Sequence, residues 1–372
     1  EEALYEIQQV LEIIDLTPNM VLLHGQVLQN MDDSEGATRV LRDGVRQFED
    51  DKSLRLSFAR LLIQNDDFKE AQEQFEIIVE QDPEDWETLY SVALLDMELE
   101  NFDSAINNLE KLILADQRFD ESQYYLGFIY EQLEEMEKSI KHYREVRIGT
   151  NNFLAAQQQA TRHAIDLGQL DDAHSWLIRQ SSGQPRLEIL FTTIESNLLI
   201  QSGYITEAKT LLDSSLNRFP NESELLFARV LYYDSQGDKA GSERDLQQII
   251  RMQPDDSRAL NHLGYMLADQ TNRFEEALKL IERAIAISPD DPAIIDSLAW
   301  AQYKLGHYED ALSNLRRAFA VFPDHEVASH LGEVLWQMGR EEEATQVWED
   351  ALEVQPDSDL IRKVIERFRP YE

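Results

Sequence analysis

Residues 289–323 read PDDPAIIDSLAWAQYKLGHYEDALSNLRRAFAVFP, and this stretch decides the fold. Pro292 suits the first turn of a helix, where its missing N–H costs no intrahelical bond. Ile295, Leu298 and Ala299 follow helical spacing, and Gly306 marks a stop before Tyr308. A second helix carries Ala311, Leu315 and Ala318, and Pro323 prevents it from continuing. The stretch therefore reads as two helices joined by a tight turn.

The same unit recurs in both directions along the chain. One small residue repeats as Ala3, Ala37, Ala71, Ala105, Ser139, Ala173, Ala208, Ser242, Ala277, Ala311 and Ala344, at spacings of 34 five times and then 35, 34, 35, 34 and 33. The position four residues later is always apolar or aromatic, from Ile7 and Leu41 through Phe75, Leu109, Tyr143, Leu177, Leu212, Leu246, Ile281 and Leu315 to Trp348. Twelve residues after the small position, proline stands at 83, 185, 220, 254, 289, 323 and 356, which accounts for seven of the ten prolines. A second small-residue series falls in the first helices: Gly25, Ala59, Ala93, Gly127, Thr161, Ser196, Gly264, Ala299 and Gly332, with Val230 as the departure. Small residues on both helices let the two backbones approach closely, and repetition at this period marks a stacked-repeat architecture.

The small–aromatic–small–Pro pattern resembles the tetratricopeptide repeat family over essentially the whole chain. The resemblance implies an all-α fold, a right-handed superhelical solenoid of about ten helix-turn-helix units. In that reading residues 1–372 form a single solenoid, with residues 1–15 a half repeat, residues 18–356 ten units, and residues 357–368 a closing helix presenting Leu360, Val364 and Phe368 on one face. Glu49 and Asn151 replace the usual proline in repeats one and four, so the helix ends are least defined there. Ser181-Ser182-Gly183-Gln184-Pro185 reads as the softest loop, and one extra residue lengthens the turn from Asp269 to Arg273. A chain that opens halfway through a repeat is expected to be a piece of something longer, with any targeting segment in the missing part.

Composition narrows the function. The 34 Lys and Arg residues face 72 Asp and Glu, a formal net charge of −38. That balance counts against binding nucleic acid, which relies on basic side chains displacing counterions from phosphates. It also disfavours an anionic membrane surface. With no cysteine, disulfides, thiolate metal sites and thiol nucleophiles are excluded. No apolar run approaches the roughly 18 to 20 residues that span a bilayer.

The fingerprints of chemistry are missing. There is no G-x-G-x-x-G, no phosphate-binding loop, no G-x-S-x-G elbow and no H-E-x-x-H helix. His325 and His330 are the nearest histidine pair, and a spacing of five does not put both on one helical face. Acidic runs such as Glu341-Glu342-Glu343 fall at helix starts, where they favour the positive end of the dipole. The sequence thus points to a binding protein, with no catalytic residue, cofactor or metal implied.

In the repeat family the first helix of each unit lines a concave groove. Projecting that register onto this chain gives Tyr90, Leu94 and Met97, then Tyr124 and Phe128, then Phe227 and Leu231, and finally Tyr265, Trp300, Tyr303 and Trp336. Solvent-facing aromatic residues of this kind are enriched at interface hot spots. Basic groove positions are few, namely Arg60, Arg162, Arg258 and Lys304. The Lys/Asn/Arg clamp by which some family members hold a C-terminal carboxylate is not reproduced, so a basic or neutral partner is preferred.

Residues 261–352 carry more than the generic pattern, in the pieces LGYMLAD, SPDDPAIIDSLAW and LRRAFAVFPDHEVASHLGEVLW. They resemble the large tetratricopeptide lipoproteins of the Gram-negative outer membrane. These include the binding partner of a periplasmic carboxyl-terminal processing protease. That resemblance implies a periplasmic, outer-membrane-anchored adaptor that binds the protease and presents peptidoglycan hydrolases to it. Membrane contact would come only through a lipid anchor absent from this chain. The alternative is a scaffold for assembling an envelope or polysaccharide-export complex.

Overall fold

A computed structural model describes residues 16–368, so the half repeat expected over residues 1–15 lies outside the described residues. Every regular element among them is helical. The chain divides into two compact units between Leu177 and Ile178, four residues before the Ser181–Pro185 loop.

The first unit is built of helix pairs: α1 (Pro18–Asn30) with α2 (Ser34–Gln47), α3 (Lys52–Gln64) with α4 (Phe68–Gln81), α5 (Trp86–Glu98) with α6 (Phe102–Leu114), and α7 (Phe119–Gln132) with α8 (Met136–Glu145). The pair α9 (Phe153–Asp166) and α10 (Leu170–Gln180) follows, and the end of α10 crosses the boundary. The second unit pairs α11 (Pro185–Gln201) with α12 (Ile205–Arg218), α13 (Ser223–Ser235) with α14 (Lys239–Met252), α15 (Ser257–Gln270) with α16 (Phe274–Ile287), α17 (Pro292–Lys304) with α18 (Tyr308–Val321), and α19 (His325–Gln337) with α20 (Glu341–Val354). A single helix, α21 (Asp359–Phe368), closes it.

Paired helices are antiparallel, as the α7–α8 pair shows. Ser139 Oγ donates to the Gly127 carbonyl at 2.8 Å, and the His142 ring meets Gln123 across the same seam at 2.8 Å. The two recurring sequence positions meet at these seams. A Cβ on Gly332 would stand 2.1 Å from Trp348 Nε1, and one on Gly127 would stand 2.6 Å from the Tyr143 ring. The largest second-helix side chains are thus accommodated by the smallest first-helix residue, and Trp348 and Tyr143 are fully buried. In the second unit the first helices of neighbouring pairs also pack side by side: α11 with α13, α15 with α17, and α17 with α19.

The turns within pairs repeat too. Asp32, Asp66, Glu100 and Glu134 occupy the left-handed region at φ of 60, 62, 58 and 58°, and the corresponding positions from Gly168 onward, through Gly203, Gly237, Gly306 and Gly339, are glycine. The lengthened turn after α15 differs: Thr271 is extended, its hydroxyl donating to the Leu267 carbonyl and accepting from Arg273 N. At the helix starts Asp33, Asp51, Asp85, Asp238, Asp256, Asp291 and Asp324 accept from backbone N–H groups of the first turn. Part of the acidic surplus is therefore capping chemistry.

One local expectation is corrected. The closing helix buries Ile361 and Val364 and leaves Leu360 exposed, so Ile361 takes the place assigned to Leu360. The fourth repeat, which lacks proline at Asn151, ends its second helix early, at Glu145.

Candidate partner-binding surface

All eleven projected groove residues lie on first helices: Tyr90, Leu94 and Met97 on α5, Tyr124 and Phe128 on α7, Phe227 and Leu231 on α13, Tyr265 on α15, Trp300 and Tyr303 on α17, and Trp336 on α19. The structure separates them by exposure. Phe128 and Leu231 are open, at 39% and 37% exposed. Tyr90, Leu94, Met97, Tyr124, Phe227, Tyr265, Tyr303 and Trp336 are half-buried.

Trp300 corrects the expectation of a solvent-facing ring, for it is 4% exposed. The indole stacks on His330 with ring centroids 4.0 Å apart and donates from Nε1 to Asp269 at 3.2 Å. The physical reason is the packing of α19 beside α17: a ring as large as indole at this position reaches the neighbouring first helix and is covered by it. Phe128 and Leu231 stand at the same register position, immediately after the small residue, and remain open. Trp336 also departs from a free groove ring, since it packs against Trp348 and Phe368 with centroids 5.8 Å from each. Tyr303 packs beside Trp300 at 5.0 Å and donates its hydroxyl to Glu333 at 3.0 Å.

Around the other groove aromatics the neighbours are cationic or aromatic. The Arg118 guanidinium lies 5.2 Å from the Tyr90 ring and Arg258 lies 4.1 Å from Phe227. Tyr124 contacts Tyr125 and Tyr143 at 5.6 and 5.5 Å. Burial, with the neighbouring Tyr125 ring second, pushes the Tyr90 hydroxyl well above the usual phenol range.

One cluster escaped the sequence reading. His330, buried on α19, sets its Nδ1 3.0 Å from both carboxylate oxygens of Asp296 on α17. Tyr265 on α15 donates its hydroxyl to Glu326 at 2.8 Å, with His330 Nε2 at 3.5 Å. Burial works against a charged imidazole at His330, yet the Asp296 carboxylate, by charge and hydrogen bond, outweighs it, with Glu326 and Glu333 adding to the effect. The net direction is up. The helical spacing of five between His325 and His330 held no hint of this contact, because the partners come from neighbouring repeats. Among the described residues no grouping of three or more His, Asp or Glu side chains has the geometry of a metal site.

A tetratricopeptide repeat profile matches residues 90–153, 227–292 and 297–359, together just over half of the chain. Over 191 residues the chain is 38% identical to a TPR repeat-containing protein of Pseudomonas aeruginosa, a match covering 51% of this chain and 32% of that protein. The chain therefore spans about a third of the length of that relative. Among solved structures it is similar to a tetratricopeptide repeat protein from Parabacteroides merdae, at 15% identity and a TM-score of 0.48, over 67% of this chain and 98% of the other. It is also similar to a thermophilic TPR protein from Thermus thermophilus, at 21% identity and a TM-score of 0.44, over 49% of this chain and all of the other.

Proposed function

The chain belongs to the tetratricopeptide repeat family, and we propose that it is a non-enzymatic, protein-binding adaptor of the Gram-negative periplasm. In this reading it binds a carboxyl-terminal processing protease and presents peptidoglycan hydrolases to it, anchored at the outer membrane by a lipid carried outside this sequence. The repeats of this family are protein-interaction scaffolds. The observation that carries the reading is that each unit, taken by itself, leaves an apolar first-helix side chain open, Phe128 in the first and Leu231 in the second. The family-specific stretch over residues 261–352 supports the periplasmic protease setting.

The test is co-purification from native cell envelope with the wild-type chain and a Phe128→Ala/Leu231→Ala variant side by side. Recovery of a processing protease and cell-wall hydrolases, with the hydrolases lost in the variant, supports the adaptor. Recovery of polysaccharide-export or synthesis machinery with no protease overturns it in favour of an assembly scaffold.

A further inference from the structure

Within the second unit, α15, α17, the end of α18 and the start of α19 line an open cavity of about 310 Å³, near the small end of ligand-site volumes. Its wall combines the Tyr265 and Phe322 rings with the carboxylates of Asp296, Asp324 and Glu326. Phe322 is 53% exposed, so apolar surface lies open at the cavity. No lysine or arginine lines it. The one basic side chain in the wall is His262, which is held by Asp234 at 2.7 Å.

The donors already present leave acceptor capacity. Glu326 accepts one bond from Tyr265. Asp324 accepts one backbone N–H as the cap of α19, from Glu326 N at 2.8 Å. A carboxylate has about four lone-pair sites, so one bond each leaves both groups open to a further donor. Asn261, also in the wall, has a buried Oδ1 with no hydrogen-bond partner. The cavity thus offers several acceptors and no mobile cation to neutralise them. Its apolar surface suits the hydrocarbon stem of a long basic side chain, which buries its methylenes while its charged end seeks acceptors.

We propose that this cavity receives an arginine side chain of a partner protein segment. The inference rests on the reading of the first-helix surface as the partner-binding face and names the chemistry that surface selects. Arginine fits better than lysine because its planar head carries five donors in a fixed fork, whereas ammonium is a compact and strongly hydrated point charge. Asp324 and Glu326 take the charge, and the stem lies along Phe322. The buried Asp296–His330 pair sits behind this as the polar floor. An anionic occupant would meet three carboxylates with no free cation in the wall.

The probe is a fluorescein-labelled, terminally blocked nonapeptide with one central arginine among small uncharged residues. Its control replaces the arginine with citrulline, which keeps the shape and removes the charge. Binding to the whole chain is read by fluorescence anisotropy. Asp324→Asn/Glu326→Gln is the variant, because asparagine still caps a helix and glutamine still accepts from Tyr265. Circular dichroism melting establishes that it folds as the wild type does. The arginine peptide is expected to bind at least about tenfold more tightly than the citrulline peptide, and the double variant to lose most of that preference. Raising the salt should erode it as well.

Equal affinities overturn the proposal, as does an arginine peptide that fails to bind below about 1 mM, or a preference unchanged in the variant. If the preference fails while a processing protease still co-purifies, the arginine site falls and the adaptor reading stands. If the preference holds and no protease is recovered, the site stands and the adaptor reading falls.

Discussion

Trp300→Ala tests whether neighbouring first helices cover the ring or leave it to a partner. Burying an aromatic side chain removes about 150 to 250 Å² from water, and with Trp300 only 4% exposed nearly all of its area counts. At about 25 cal/mol per Å² that gives roughly 4 to 6 kcal/mol. Extended-chain references overstate such areas, so about 3 to 5 kcal/mol is expected, the range seen for Trp→Ala in cores. Losing the indole N–H adds little, because Asp269 is exposed and water replaces the donor. The remaining stack on His330, at 4.0 Å, is lost outright. Urea unfolding followed by far-UV circular dichroism avoids a signal that depends on the removed tryptophan. With slopes of about 1 to 3 kcal/mol/M, the transition that includes α15, α17 and α19 should shift down by at least about 1 M. A midpoint within about 0.3 M of wild type refutes the packing argument and returns Trp300 to the solvent-facing surface.

Gly332→Ala brings a methyl group against the buried Trp348 ring and is expected to cost about 1 to 3 kcal/mol, read as a lower melting temperature. Glu100→Gly relieves a side chain held at φ 58°. It should stabilise by up to about 1 kcal/mol in denaturant titration, the left-handed penalty less the extra entropy of glycine in the unfolded chain. For His330 the folded pKa lies above the unfolded value of 6.5. Its stabilising contribution is therefore complete below that pH and is lost as pH rises through the folded pKa. The stability gap between wild type and His330→Gln should be widest below the unfolded pKa and narrow as pH rises above it; a gap that widens with pH refutes the Asp296 pairing. Phe128→Ala and Leu231→Ala should each cost less stability than Trp300→Ala, because more than a third of each side chain already faces water, while weakening partner capture.

The repeat was legible because its signal is covalent spacing: one small residue, one apolar residue four positions on, and proline twelve positions on. The same small-to-large contact recurs at Gly25–Leu41, Gly127–Tyr143, Gly264–Ile281 and Gly332–Trp348, so reading one unit at Pro289–Pro323 anticipates the others. The left-handed turn at Gly306 was equally legible, since glycine is the residue that tolerates it. The surface was harder to read for a related reason. Register assigns a residue to the first-helix face, yet exposure depends on side-chain size and on what the next repeat brings beside it. Phe128, Leu231 and Trp300 share one register position, and only Trp300 is sealed, under His330. His330 itself is read in sequence beside His325, but it finds Asp296 on the preceding first helix, 34 residues away. A period of 34 residues makes that pair neighbours in space, so partners across repeats are best sought one period apart and not one helical turn apart.

The same logic sorts the acidic charge. An aspartate at a helix start, repeated from pair to pair, is accounted for by the N–H groups it accepts, and its recurrence carries no information about a partner. Asp296 is different: it lies inside α17, buried and away from any cap, and its counter-charge comes from a histidine one repeat on. Glu326 is different too, since it receives the Tyr265 hydroxyl from two repeats back. These carboxylates belong to a place where three successive repeats meet, and they line one cavity together with the cap residue Asp324. A net charge of −38 sets the general preference for a basic partner and the salt sensitivity of its encounter. Position within that preference has to come from acids whose placement the capping pattern does not explain, and two such acids of the second unit, Asp296 and Glu326, line the α15–α17–α19 cavity.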